Sequence, residues 1–225
     1  MRLLAALLLT SCLFLGGCIV KAMKLNNQAR AYYDHSHYTE AQDILHESLE
    51  VDYEYAKTHY LLGLVYEAQG DLDNALHEYD LAIRFDPMLH EAYEAKIEAL
   101  HRSGRYEQMR ETAQKLLRRH TGKSNEVILI ARTFVSKGLE EPAVMSYQRA
   151  QQLDPFSPEA TVELADYYLT LGRQEPALAA LRRAFEIDPV YPGLSSRLGK
   201  FGYKVEVPVN ERVKDAPPPR PQPQL

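Results

Sequence analysis

Cysteine and net basic charge are both scarce in this chain. The only two cysteines, Cys12 and Cys18, lie within the first eighteen residues. Neither a disulfide framework nor a cysteine-based zinc site can therefore support the fold. The 26 Lys and Arg are outnumbered by 31 Asp and Glu, which gives a formal net charge of −5. Because nucleic-acid binding needs cationic side chains that neutralise phosphates, this balance argues against a nucleic-acid partner.

The apolar run at the start of the chain is too short to cross a bilayer. It extends from Leu3 to Leu15, thirteen residues interrupted by Thr10 and Ser11, whereas a transmembrane helix needs about 20. Its place directly after Arg2 is typical of a signal peptide. The whole chain is 45% hydrophobic and 25% charged, which is typical of a protein that folds around a packed core.

The signal-peptide run ends in the motif Leu15-Gly16-Gly17-Cys18. This motif resembles the lipobox of bacterial lipoproteins. The resemblance implies removal of residues 1–17 and a diacylglycerol on the Cys18 sulfur, which makes residues 18–21 a lipid-anchored N-terminus. Ile19 stands where Asp retains many such lipoproteins at the inner membrane, so the resemblance favours the outer membrane and a periplasmic orientation. An ordinary signal peptide that contains a cysteine is the alternative.

The rest of the chain repeats with a period of 34 residues. Small, aromatic and proline residues recur in register without any insertion. The recurring sets are Ala29, Gly63, Ala131 and Ala165; Tyr32, Tyr66, Phe134 and Tyr168; Ala41, Ala75, Ala143 and Ala177; and Pro87, Pro155 and Pro189. The pattern resembles the tetratricopeptide repeat, in which these are packing positions. Small residues at such positions let two antiparallel helices approach closely.

The resemblance implies an all-α fold, a right-handed superhelix of five helix-turn-helix repeats with a C-terminal capping helix. We place the repeats at 22–55, 56–89, 90–123, 124–157 and 158–191, the capping helix at 192–203, and a disordered, proline-rich tail at 204–225. The third repeat is degenerate, with Ile97, Leu100 and Met109 at its signature positions. Because Tyr53 replaces the stop proline of the first repeat, we expect its second helix to continue into the next repeat.

No catalytic or metal-binding motif is complete. Three His-Glu pairs begin like the His-Glu-x-x-His zinc helix, but the fifth residue is never a second histidine; it is Glu50, Leu81 or Glu94. The densest group of possible metal ligands comprises Asp34, His35 and His37. Two histidines in a surface turn bind a metal only weakly without further ligands. We therefore predict no enzyme activity, no metal, no cofactor and no small-molecule substrate.

In proteins with this repeat, the first helices of successive hairpins line a concave groove that binds peptides. The resemblance implies such a groove here, with exposed positions at Asn26, Arg30, Tyr33, Lys57, Tyr60, Glu67, Glu91, Glu94, Glu98, Arg132, Glu159, Glu163 and Asp166. Two trios of acidic residues within this set each share one helix face, where a like-charge pair costs about 0.2 to 0.5 kcal/mol. The first trio is Glu91, Glu94 and Glu98, and the second is Glu159, Glu163 and Asp166. The trios indicate a positively charged ligand, and a solvated face is the alternative.

These features predict a non-enzymatic, lipid-anchored scaffold that holds an envelope protein or an extended peptide at the periplasmic face of the outer membrane. The lipobox and the repeats together resemble the pilotin lipoproteins, which help the secretin rings of type IV or tight-adherence pili to assemble. An adaptor that recruits peptidoglycan hydrolases or proteases is the second candidate. An enzyme with an unrecognised site is the third.

Overall fold

The structure is a computed structural model that describes residues 19–119 and 122–203. The predicted signal peptide with Cys18 and the predicted tail at 204–225 lie outside these residues. Within the described part of the chain there are helices and no strands. The predicted all-α class, with a helix at the C-terminal end of the repeats, is therefore confirmed. None of the described helices is long and apolar enough to cross a membrane.

Across residues 19–119 and 122–203, short turns separate eleven helices. Their bounds are α1 (19–34), α2 (Tyr38–Val51), α3 (Ala56–Ala68), α4 (Leu72–Phe85), α5 (His90–Arg102), α6 (Tyr106–Arg119), α7 (Ser124–Ser136), α8 (Glu140–Leu153), α9 (Glu159–Thr170), α10 (Gln174–Ile187) and α11 (Leu194–Gly199). Every second helix from α2 to α10 begins and ends 34 residues after the one before it. The period read from the sequence is thus the period of the backbone.

The helices form two compact units. The first contains the described residues up to 119 together with 133–145, and the second contains 122–132 together with 146–203. In the first unit, one buried cluster joins α1, α2 and α3 through Ala29, Ala41, Leu45, Leu62 and Val65. In the second unit, α9, α10 and α11 share a buried cluster of Val162, Ala165, Leu181, Ala184, Leu194 and Leu198.

A left-handed residue closes each hairpin turn. Gly70 has a φ of 85°; its N–H donates to the Glu67 carbonyl at 3.1 Å, and the Asp71 N–H donates to the Tyr66 carbonyl at 2.8 Å. These bonds satisfy carbonyls at the end of α3 that would otherwise lack partners. The same position holds glycine in the next three hairpins and Ser36, with a φ of 63°, in the first. The turn therefore tolerates a non-glycine residue at one of its five occurrences.

The expectation that the second helix of the first repeat continues past its usual end is wrong. Helix α2 ends at Val51, in phase with α4, and Asp52 takes an extended backbone conformation. The Asp52 carboxylate accepts the Glu54 N–H at 3.1 Å, just as Asp86 accepts the Met88 N–H at 2.9 Å. The aspartate before the proline position is thus enough to turn the chain, because its side chain offers the backbone a partner outside the helix.

Helices α3 and α4 approach each other closely at Gly63. The Tyr79 ring on α4 is fully buried against Gly63 on α3. A Cβ atom at residue 63 would lie 2.6 Å from Tyr79 Cδ1, well inside van der Waals contact. Tyr79 cannot swing away freely, because its hydroxyl donates to the Glu67 carboxylate at 2.6 Å. Glycine at residue 63 is therefore required by the packing of this hairpin.

We expect Gly63→Ala to lower the free energy of unfolding by about 1 to 3 kcal/mol, since an added methyl group overpacks the α3–α4 contact. Alanine favours a helix over glycine by about 1 kcal/mol, so a net loss shows that packing dominates. Gly199→Ala is the matched control, because no heavy atom lies within 4 Å of a Cβ added there. Urea denaturation of both variants is the measurement, and equal stabilities would contradict the packing account.

Candidate partner-binding groove

The first helices of three successive hairpins border one cavity in the first unit. This cavity, called here the α1–α3–α5 cavity, has a volume of about 280 Å³. Its apolar lining comes from Met23, Leu61 and Leu89, and its charged lining from Arg30, Lys57 and Glu91. The other lining residues are Asn26, Asn27, Tyr55 and Tyr60. Both signs of charge thus surround an apolar centre.

Aromatic rings hold one side of this cavity in place. The Arg30 guanidinium carbon lies 5.7 Å from the centre of the Tyr33 ring, and Arg30 Nε donates to Asp34 at 2.9 Å. The Tyr60 ring lies 6.3 Å from the ring of buried Tyr79. Burial raises the pKa of the Tyr60 hydroxyl above its usual value of 10.0. This hydroxyl therefore stays protonated at neutral pH and can donate a hydrogen bond.

Asn26, predicted as an exposed groove position, is instead buried, with only 5% of its surface exposed. Its amide nitrogen lies within hydrogen-bond distance of three acceptors: the Ala22 carbonyl at 2.9 Å, Ser48 Oγ at 3.0 Å and Thr58 Oγ1 at 2.8 Å. This buried hydrogen-bond network joins α1, α2 and α3 inside the unit. Asn26 Oδ1 is buried and has no hydrogen-bond partner among the described residues.

The repulsion argument for the second acidic trio is wrong, because the chain supplies the counter-charges itself. Arg132 on α7 pairs with Glu163 and, at 3.3 Å, with Glu159 on α9. Arg197 on α11 donates two hydrogen bonds to Asp166, at 2.8 and 2.7 Å. These pairs lie within the second unit and join neighbouring first helices. These pairs link the helices of the stack, and the two guanidinium groups balance two of the three negative charges of the trio.

The first trio is divided among three different roles. Glu98 pairs with Lys137 at 2.9 Å. Glu94 is half-buried, and burial raises the pKa of its carboxyl above the usual 4.5, with the positive charge of Lys137 acting in the opposite direction. Glu91 is exposed and lines the α1–α3–α5 cavity. Within this trio, the cavity thus uses only Glu91.

Glu67 also differs from the prediction. It accepts the Tyr79 hydroxyl and forms an ion pair with Arg102 at the end of α5. These contacts connect α3, α4 and α5, so the Glu67 carboxylate takes part in helix packing.

The possible metal ligands of the first hairpin turn each have another partner. His37 Nδ1 lies 3.3 Å from Glu40, His35 Nδ1 lies 2.7 Å from the Ala31 carbonyl, and Asp34 pairs with Arg30. Across residues 19–119 and 122–203, no three His, Cys, Asp or Glu residues are placed so that they could hold a metal ion.

Five of the predicted groove residues therefore meet at one place: Asn26, Arg30, Lys57, Tyr60 and Glu91. The other predicted groove residues of the first unit do not line this cavity; they are Tyr33, Glu67, Glu94 and Glu98. The last four predicted groove residues belong to the second unit; they are Arg132, Glu159, Glu163 and Asp166. Sequence reasoning missed Met23, Asn27, Tyr55, Leu61 and Leu89. Met23 and Asn27 could have been found, because they lie seven and three residues before Arg30 on the same helical face.

The paired helices, their left-handed turns and their 34-residue spacing define a helical repeat protein of the kind that binds other proteins. A family model described as the tetratricopeptide repeat matches residues 26–89 and 131–192, more than half of the chain. The chain belongs to the tetratricopeptide repeat family. Repeats of this family mediate protein–protein or protein–peptide interactions as scaffolds. The unmatched interval from 90 to 130 contains the third repeat, predicted from its sequence to be degenerate.

Several solved structures are similar to this chain. YrrB, described as a TPR protein with an unusual peptide-binding site, is 18% identical, with a TM-score of 0.44 over 80% of this chain and 92% of that one. The pilF protein of Pseudomonas aeruginosa is 17% identical, with a TM-score of 0.49 over 83% and 86%. A thermophilic TPR protein of Thermus thermophilus is 20% identical, with a TM-score of 0.44 over 80% and 97%. Likenesses this distant carry no argument about function. No curated protein matches the sequence significantly.

We expect Glu94→Gln to raise the free energy of unfolding at pH 7. Burial raises the pKa of the Glu94 carboxyl in the folded state. The folded protein therefore binds the carboxyl proton more tightly than the unfolded chain does. Ionisation of Glu94 above pH 4.5 thus opposes folding. The gain should shrink as the pH falls towards 4.5, where the wild-type carboxyl becomes protonated in both states.

Chemical denaturation of the wild type and this variant at pH 7 and near pH 4 measures the effect. Glu111→Gln, at an exposed position on α6, is the matched control. A gain in stability that persists unchanged at the lower pH would show that ionisation of Glu94 is not its cause.

Proposed function

We propose that this chain is a lipid-anchored scaffold of the bacterial cell envelope and that it binds an extended segment of another protein in the α1–α3–α5 cavity. The observation that carries the proposal is the convergence of three successive first helices on one cavity with an apolar centre and charges of both signs. An extended peptide presents side chains and backbone polar groups in alternation, and this lining offers partners for both.

The size of the cavity favours a side chain over a small-molecule substrate. Its volume of about 280 Å³ lies at the lower limit of ligand pockets, which are typically about 300 to 1,000 Å³. Met23, Leu61 and Leu89 suit an apolar side chain, while Arg30, Lys57 and Glu91 can pair with flanking charges.

The proposed location is the periplasmic face of the outer membrane. Support comes from the motif Leu15-Gly16-Gly17-Cys18, which resembles a lipobox, and from Ile19 after the cysteine. Helix α1 already includes residue 19, so a lipid on Cys18 would hold the first unit close to the bilayer. Two or three acyl chains exceed the single chain that gives only marginal membrane binding.

For the partner, we propose a subunit of a pilus secretin. The lipobox and the repeats together resemble the pilotin lipoproteins that assist such rings, and an extended secretin segment would suit the cavity. Affinity capture of the lipidated protein from cells, followed by mass spectrometry, tests this step. A secretin subunit supports it. Recovery of peptidoglycan hydrolases without a secretin would contradict the secretin proposal and support the adaptor function instead.

Tyr60→Ala and Lys57→Glu should each weaken binding of the captured partner about tenfold or more, since they remove an aromatic anchor or reverse a charge in the cavity. Titration of the purified partner by surface plasmon resonance measures the loss. Lys200→Glu makes the same charge change at an exposed position outside the cavity and should leave the affinity unchanged. If all three variants bind like the wild type, the partner binds elsewhere.

Cys18→Ser should prevent lipid attachment, because the serine oxygen does not replace the thioether sulfur in lipoprotein processing. We expect the variant to retain its leader or to leave the outer-membrane fraction, and its intact mass should lack the acyl chains. Cys12→Ser is the control and should fractionate like the wild type. An unchanged mature mass and unchanged membrane fractionation in Cys18→Ser would exclude the anchor.

A further inference from the structure

One end of the first unit is defined by a series of contacts between helix starts and helix ends. Lys21 near the start of α1 pairs with Glu47 near the end of α2 at 3.3 Å. His59 near the start of α3 stacks on Phe85, the last residue of α4, with ring centres 5.3 Å apart. Arg119, the last residue of α6, donates to the hydroxyl of Tyr93 on α5 at 2.9 Å. We call this the α1-start end.

A basic cavity opens at the same end. It lies between α4, α5 and α6, has a volume of about 630 Å³, and is lined by four cationic side chains: Arg84, Lys115, Arg118 and Arg119. Among the described residues of its lining, Asp80 is the one acid, and it pairs with Lys96. A chain with a net charge of −5 therefore concentrates positive charge at one recess.

Exposed aliphatic side chains lie at this end as well. Among the described residues of the first unit, the large aliphatic side chains that are exposed are Ile19, Val20, Met23 and Met88. Val20 is 67% exposed and Met88 57%. Met88 directly follows Pro87 in the turn between α4 and α5, and Pro87 lines the basic cavity. Apolar and cationic side chains thus meet at the α1-start end.

We propose that the α1-start end lies against an anionic membrane surface and that the basic cavity holds the phosphate of a lipid headgroup. The inference rests on the proposed function, since the lipidated Cys18 would directly precede the start of α1. Basic residues near an anionic bilayer strengthen binding, and exposed aliphatic side chains beside them can enter the interface.

The helix dipole alone does not account for this arrangement. It favours a cation in the last turn of a helix, which explains Arg84 and Arg118 one at a time. It does not explain why α4 and α6 direct their cations to one cavity, nor why exposed Met88 lies beside it. The negative charges of an acidic peptide would pair with the cations, but they would leave the exposed aliphatic side chains without a partner. The combination favours a membrane.

The test uses the chain from residue 18 onward with Cys18→Ser, so that no lipid contributes. The probes are vesicles of phosphatidylcholine and vesicles of an equal mixture of phosphatidylcholine and phosphatidylglycerol. We expect flotation with the anionic vesicles only, and weaker binding at high salt. The triple variant Arg84→Gln, Lys115→Gln and Arg118→Gln should bind on the order of a hundredfold more weakly, since each basic residue contributes about a fivefold factor.

The matched control is the triple variant Arg102→Gln, Arg105→Gln and Lys137→Gln, which has the same net charge but leaves the basic cavity intact. It should bind anionic vesicles like the parent chain. Equal losses in the two variants, or equal binding to both kinds of vesicle, would overturn the proposal. Thermal stabilisation by inorganic phosphate without vesicle binding would also overturn it and would make the cavity a site for a free anion.

The absence of tryptophan from the sequence allows a second readout that does not depend on the triple variant folding. In Met88→Trp, the emission of the single Trp should shift to the blue when anionic vesicles are added. Tyr106→Trp, at the exposed start of α6, should show no shift. A shift in neither variant would contradict membrane contact. Because the tested protein carries no lipid, such a failure leaves the anchor to be judged by the fractionation of Cys18→Ser.

Discussion

Close approach between paired helices is the constraint on which the rest of the structure depends. Gly63 admits the buried ring of Tyr79, and alanines with no exposed surface, such as Ala41, Ala75 and Ala82, occupy other contacts. A larger side chain at such a position would separate two helices and shift the next pair with them, because each repeat buries its apolar face only against its neighbours. The α1–α3–α5 cavity exists because this spacing sets three first helices side by side.

Charge has two distinct uses in this protein. In the second unit, Arg132 and Arg197 neutralise acidic residues on the adjacent first helix and so strengthen the stack. In the first unit, charges of both signs line the α1–α3–α5 cavity, and cations gather at the basic cavity. The exposed face of a first helix can therefore form ion pairs with its neighbour in one repeat and line a cavity in another. Inspection of a single helix does not distinguish the two uses.

The prediction of Asn26 as an exposed groove residue failed for a related reason. Its place on α1 matches the groove phase, but Ser48 from α2 and Thr58 from α3 offer acceptors that draw its amide into the interior. The proline rule failed at Tyr53 because the Asp52 side chain alone turns the backbone. In both cases a polar side chain found a partner that the repeat pattern does not record.

The sequence by itself determined the helical class, the 34-residue period and the turns within the hairpins, because these follow from residue size and local backbone preference. Only the tertiary structure decided which acidic residues are neutralised, that Asn26 is buried, and that Arg84 on α4 shares a cavity with Arg118 on α6. Those outcomes depend on contacts between side chains about 20 to 35 residues apart, and the geometry of such contacts is set by how the helices pack.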